Sequence, residues 1–115
     1  MIKDISQMET EIRSSMRGGK GDITIQHVLR EDELKGQARL VAKVSLEPGS
    51  SIGLHEHVEE EEIYYIMKGK GLVVDANTSR EVGPGEAVLT GDGNSHSIEN
   101  IGHETLEFFA VILTY

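Results

Sequence analysis

The sequence contains no cysteine, no tryptophan and only two prolines. Without cysteine the chain has no disulfide bond, no thiolate metal site and no cysteine nucleophile. No stretch approaches the roughly 20 consecutive apolar residues of a membrane-spanning helix. The first residues include acidic side chains and lack the apolar run of a signal peptide. We therefore expect a soluble, cytoplasmic protein with no membrane partner.

Positive charge is also scarce. The chain has 11 lysines and arginines against 20 acidic residues, which gives a net charge of -9. The basic residues are scattered, whereas a nucleic-acid-binding surface needs a basic patch to neutralise phosphates. A chain of 115 residues has room for about one domain. We therefore expect no nucleic-acid partner and no separate DNA-binding domain.

The first part of the chain has a helical pattern. Apolar residues at spacings of three and four predict a short amphipathic helix over residues 4–17. The glycines that follow would end it, because glycine sustains a helix poorly. We expect residues 1–21 to form this helix with a glycine-rich connector, and residues 22–115 to form a β-barrel domain.

From residue 22 onwards the pattern is one of short strands. Apolar and β-branched residues alternate with polar ones, and glycine-rich turns separate the segments. Many short strands with such turns indicate an all-β sandwich or barrel. The predicted strands are 22–29, 37–46, 51–57, 61–67, 71–75, 86–90, 95–99 and 105–113.

Three histidines and a glutamate have a spacing that suits a metal ion. His55 and His57 are two residues apart, so on a strand both side chains point to one face. Glu62 follows at the start of the next strand, and His96 begins a later one. Three imidazoles and one carboxylate suit manganese, iron, nickel or zinc better than calcium or magnesium. His27 and His103 lie outside this pattern.

The residues around these four positions resemble the two motifs of the cupin superfamily. The first motif is matched by Gly49, His55, His57, Glu62 and Gly69, and the histidine of the second motif is matched by His96. Gly85, Gly93 and Asn100 fit the rest of the second motif, and Gly91 stands where the family usually has proline. The resemblance implies a double-stranded β-helix, or jelly-roll barrel, with a metal in its mouth. It also implies a homodimer.

Other residues are predicted near the pocket by strand parity. Tyr64 and Ile66 share parity with Glu62, and Ile98 shares it with His96. Tyr64 could contact a ligand or serve as an acid or base, or it could be a core residue.

Two predictions concern charged residues. Arg39 and Lys43 would bind an anion if their face lines the lumen, but a surface position is favoured. Residues 59–61 are interpreted as a solvated acidic turn.

The expected function is therefore metal-ion binding with a small polar ligand in the barrel. A carboxylate-bearing ligand would chelate the open metal positions. The resemblance to cupins admits a metal-dependent oxidoreductase, decarboxylase or isomerase. The alternative is a binding or sensing module without turnover.

Overall fold

Ten antiparallel strands form two sheets in the computed structural model, which describes residues 1–115. The strands are β1 (Glu9–Ser14), β2 (Asp22–Leu29), β3 (Ala38–Leu46), β4 (Ser51–Glu56), β5 (Glu60–Lys68), β6 (Gly71–Asp75), β7 (Thr78–Val82), β8 (Ala87–Gly91), β9 (Ser95–Asn100) and β10 (Leu106–Thr114). The larger sheet has the order β1-β2-β3-β10-β5-β8, and the smaller has the order β4-β9-β6-β7. This is the predicted all-β jelly roll.

The core lies between the two sheets. On β10 every second residue is buried from Leu106 to Ile112, as expected when one face of a strand is covered. β3 follows the same rule with Ala42, Val44 and Leu46. Side chains of the smaller sheet, such as Ile98, complete the same cluster. Strands of both sheets therefore direct their core residues and the predicted metal ligands toward one shared interior.

The N-terminal helix prediction is wrong. Residues 4–17 form a 3-10 turn at Ile5–Gln7, then β1, then a second 3-10 turn at Met16–Gly18. β1 pairs antiparallel with β2, from Glu9 opposite His27 to Ser14 opposite Asp22. A short isolated helix is only marginally stable, whereas the open edge of β2 offers a full ladder of backbone hydrogen bonds. The predicted division between residues 21 and 22 falls between two strands of one sheet.

After β1, β7 is the second strand that was not predicted. β7 is mostly polar and exposed, and it forms an edge of the smaller sheet next to β6. A strand with little covered surface has no alternation of apolar and polar residues to detect. The structure contains no helix whose length and hydropathy would let it span a membrane.

Candidate metal centre

Three strands bring the four predicted ligands together. β4 and β9 are paired so that His55 lies opposite His96. His57 follows the end of β4, and its backbone amide donates to the carbonyl of Asn94 at 3.0 Å. Glu62 lies near the start of β5 in the facing sheet. The intervening Glu56 is exposed, as strand alternation requires.

The donor atoms of the four residues converge on one point. The Nε2 atom of His96 lies 3.0 Å from Nε2 of His57 and 3.1 Å from Nε2 of His55. Oε1 of Glu62 lies 3.0 Å from Nε2 of both His57 and His96, and 3.9 Å from Nε2 of His55. All four groups are within 4.8 Å of one another, so this cluster could hold a metal ion.

The spacing fits a first-row transition metal. Two nitrogens bound at about 2.1 Å and at right angles around an ion would be about 3.0 Å apart. Four of the five separations have nearly this value. Imidazole nitrogens that face one another with lone pairs need a cation or a shared proton between them. The donor set of three nitrogens and one oxygen is the kind that divalent transition metals prefer.

Two of the imidazoles are held in the orientation that a metal site needs. Nδ1 of His55 lies 2.7 Å from the carbonyl oxygen of Gly53. Nδ1 of His57 lies 2.5 Å from Oε2 of Glu60. If each Nδ1 carries the proton and donates to these acceptors, each Nε2 is left with a free lone pair toward the centre.

Glu60 belongs to the site and not to a solvated turn, which corrects the interpretation of residues 59–61. Its side chain is only 14% exposed, and Arg39 donates to it from Nε and Nη2 at 2.8 Å each. The Arg39 guanidinium, with help from His57, lowers the pKa of Glu60 to about 2 against the opposing effect of burial. The sequence contained four consecutive glutamates, and only the fold separates their roles.

A β-bulge explains why Arg39 reaches the site and Lys43 does not. In the pairing of β3 with β10, Leu40 lies opposite Ile112 and Ala38 lies opposite Leu113, so Arg39 has no partner residue. An extra residue of this kind bends the strand and redirects a side chain. Arg39 lines the cavity, whereas Lys43 is half-buried and does not.

Burial and the neighbouring charged groups shift the pKa values of several side chains in the cluster. Burial alone would raise the pKa of Glu62, but hydrogen bonds with the three histidines outweigh it and hold that pKa well below its usual range. The bond to Glu62 raises the pKa of His57. Burial lowers the pKa of His96. The carboxylate is therefore ionised and ready to serve as a ligand at neutral pH.

Tyr64 lies beside the cluster and is buried. Its ring stacks on His96 with centroids 4.9 Å apart, and its hydroxyl lies 3.4 Å from Nε2 of His96. Burial and the Glu62 charge raise the pKa of Tyr64 well above its usual value. Ile66 and Ile98 are fully buried in the core and do not line the cavity.

The cavity above the cluster is small and has arginines in its wall. Its volume is about 70 Å³, far below the several hundred Å³ of a site for a drug-sized molecule. Arg13, Met16 and Arg17 contribute to the wall along with Arg39. The first three were missed because their segment was predicted to be helical, and no motif marks them.

Comparisons with known proteins agree with this architecture. The sequence profile of a family described as "Cupin domain" matches residues 42–112. An "Oxalate-binding protein" of Thermotoga maritima is 44% identical over 113 residues, which cover 98% of this chain and 93% of that one. A crystal structure from Thermotoga maritima, described as a predicted oxalate decarboxylase, has 43% identity, covers both chains completely and gives a TM-score of 0.94.

A more distant structure shares the fold alone. The polyketide cyclase RemF of Streptomyces resistomycificus is 24% identical, covers 99% of this chain and 80% of its own, and gives a TM-score of 0.77. The two-sheet barrel and the histidine–glutamate cluster define a small, single-barrel protein of the metal-binding cupin type. The chain belongs to the cupin family.

Proposed function

We propose that this protein binds one divalent transition metal ion through His55, His57, Glu62 and His96, and uses it to hold a small carboxylate ligand in the cavity. The observation that carries the proposal is the convergence of these four donor atoms beside a cavity of about 70 Å³, which His55, His57 and Glu62 line. A bound metal would supply Lewis acidity and open coordination positions for ligand oxygens. The chain itself supplies the walls and the charge of the cavity.

Manganese or iron is the proposed native metal, with nickel and zinc as ions that the same donors accept. Affinity for first-row divalent ions follows the Irving–Williams order, so the ion found depends on availability as well as on the ligands. The mixed nitrogen and oxygen donor set supports this range.

Oxalate is the ligand that we propose. Support comes from the arginines of the cavity wall, since guanidinium groups pair with carboxylates in a bidentate way. The small volume favours a ligand of a few non-hydrogen atoms. The relatives named for oxalate, at 44% and 43% identity, support the same choice.

Binding is better supported than turnover. Apart from the arginines and the proposed ligands, Tyr64 is the titratable side chain that lines the cavity, and its raised pKa keeps the phenol protonated at neutral pH. It can donate a hydrogen bond to a ligand but is a poor base. A metal-dependent decarboxylase, oxidoreductase or isomerase is the alternative, and product analysis decides between the two.

The test compares oxalate with its neutral isostere oxamide. Oxalate at about 100 times its Kd should stabilise the manganese-loaded protein by roughly 2.7 kcal/mol. Oxamide, and oxalate added to chelator-treated protein, should have little effect on the melting temperature. Release of formate or CO₂ from oxalate would establish the enzyme alternative. Absence of any shift with manganese, iron, nickel and zinc in turn would refute the proposed ligand.

We also propose that two copies of the chain associate as a homodimer in the cytoplasm. Several large apolar side chains are exposed, among them Ile12 at 66% and Leu54 at 62%. Exposed apolar side chains are often covered by a partner in the assembled protein. Light scattering of the purified protein measures the state directly.

Glu60→Ala should weaken metal binding about 10–100-fold, the usual effect of removing a group that orients a metal ligand. The substitution removes the acceptor that holds Nδ1 of His57 and frees Arg39. Competition with a fluorescent chelator measures the Kd. Glu59→Ala is the matched control. Glu59 is the neighbouring residue, and its side chain is exposed and makes no hydrogen bond. Equal affinity of the two variants would contradict the role of Glu60.

A further inference from the structure

We propose that Arg17 is the residue that recognises the ligand's carboxylate in the metal cavity. The inference rests on the proposed function and adds a specific cation to it. Arg17 lies outside both motifs and far from the metal ligands in sequence. The fold brings it to the cavity wall with His55, His57 and Glu62.

Arg17 differs from the other two arginines of the cavity wall in having no acidic partner. Arg13 pairs with Glu11 at 3.1 Å, and Arg39 is held by Glu60. None of the ion pairs of the chain includes Arg17. In a chain with a net charge of -9, an unpaired guanidinium at a cavity is available for an anion from solution.

The backbone at Arg17 is strained, which points to a role for its side chain. Arg17 has φ 55°, and Ser15 has φ 51°. L-residues adopt this left-handed region only at an energetic cost, because the Cβ atom comes too close to the following carbonyl oxygen. Glycine would occupy the position at less cost. Strain of this kind is concentrated at functional sites, where the surrounding structure maintains it.

Two glycines hold the strained turn against the metal-bearing strand. A Cβ atom at Gly19 would lie 2.1 Å from the carbonyl oxygen of Ser51, and one at Gly53 would lie 2.0 Å from that of Arg17. Ser51 and Lys20 also exchange hydrogen bonds, with Ser51 N donating to the Lys20 carbonyl at 2.9 Å and Lys20 N donating to the Ser51 hydroxyl at 3.0 Å. Gly19 in the turn and Gly53 on β4 therefore allow the turn to pack closely against β4.

Arg17 and the metal cluster share one cavity, because Arg17 lines the same wall as His55 and Glu62. A planar guanidinium binds both oxygens of a carboxylate. A short dicarboxylate such as oxalate can therefore offer oxygens to the metal centre and to Arg17 together, whereas a neutral molecule of the same shape gains nothing from Arg17.

Titration calorimetry of the manganese-loaded protein with oxalate tests this role. Arg17→Gln should raise the oxalate Kd at least about 10-fold, the loss expected when a charge-assisted hydrogen bond is removed. Arg17→Lys should restore part of the affinity. Metal content should stay at the wild-type value in both variants. The control is Arg80→Gln, which removes the same charge from an exposed pair with Glu86 away from the cavity.

A second variant tests the seat of the turn. Gly19→Ala should displace residues 15–19 from β4 and weaken oxalate binding in the same direction, again with full metal content. If Arg17→Gln binds oxalate as tightly as Arg80→Gln does, the role of Arg17 is overturned and the proposed function stands. If the wild-type protein binds neither oxalate nor malonate, the proposed function fails and this inference fails with it.

Discussion

Substitution of His96 by alanine is expected to abolish stoichiometric metal binding, with an affinity loss greater than about 100-fold. Removing a group that merely orients a ligand already costs 10–100-fold, and His96 is a direct donor. It is fully buried, and its Nε2 atom lies within 3.1 Å of a donor atom of each of the other three residues. Elemental analysis of untagged protein, purified without a nickel column or chelators, measures the metal per chain.

Glu56→Ala is the control for this experiment. Glu56 lies between two proposed ligands in sequence, but its side chain is exposed. It should therefore keep about one metal per chain, as the wild-type protein does. Far-UV circular dichroism must show that the His96 variant is folded, because an unfolded chain loses metal for unrelated reasons. Retention of metal by folded His96→Ala, or equal losses in both variants, would refute the four-residue site.

Much of the barrel could be predicted because local sequence and tertiary burial agree there. On β10, buried residues alternate with less buried ones over most of the strand, and the segment is rich in apolar residues. β2 was predicted with the bounds that the structure has. The convergence of the metal cluster was also predictable, since strand parity places His55 and His57 on one face and the motif spacing adds Glu62 and His96.

The rest of the site depends on contacts that no local pattern encodes. The apolar spacing before residue 17 fits a helix, but the free edge of β2 selects a strand. Arg39 reaches the cavity only because a bulge removes it from the pairing of β3 with β10. The carboxylate of Glu60 contacts Nδ1 of His57 only because the start of β5 lies beside His57. Each of these is a tertiary effect that overrides a local preference.

The arrangement of charge links the acidic chain to its proposed ligand. A protein of net charge -9 repels anions over most of its surface. The cavity differs, because three of its wall residues are arginines, of which two are paired with glutamates, and a bound divalent ion would outweigh the charge of Glu62. One free cation, together with a metal ion above an ionised Glu62, would give the site its selectivity for a small anion.

Phe108→Ala is expected to lower the free energy of unfolding by about 3–5 kcal/mol, a large part of the 5–15 kcal/mol that stabilises a typical domain. Phe108 is fully buried on β10, opposite Val44 on β3 and Ile66 on β5. The loss of the ring removes apolar burial and leaves a cavity. The melting temperature should fall by roughly 10–20 °C.

Phe108→Ala should also reduce the stabilisation that metal binding gives the protein. The Phe108 ring packs against Tyr64 with centroids 4.3 Å apart, and Tyr64 in turn stacks on His96. Urea unfolding of the chelator-treated protein isolates the packing loss, and a parallel series with manganese measures how much metal stabilisation remains. Leu113→Ala is the control on the same strand, since Leu113 is 38% exposed and should cost less than about 1 kcal/mol. If the two variants unfold at the same urea concentration, Phe108 does not hold the sheet behind the site, and the support for Tyr64 and His96 must come from elsewhere in the barrel.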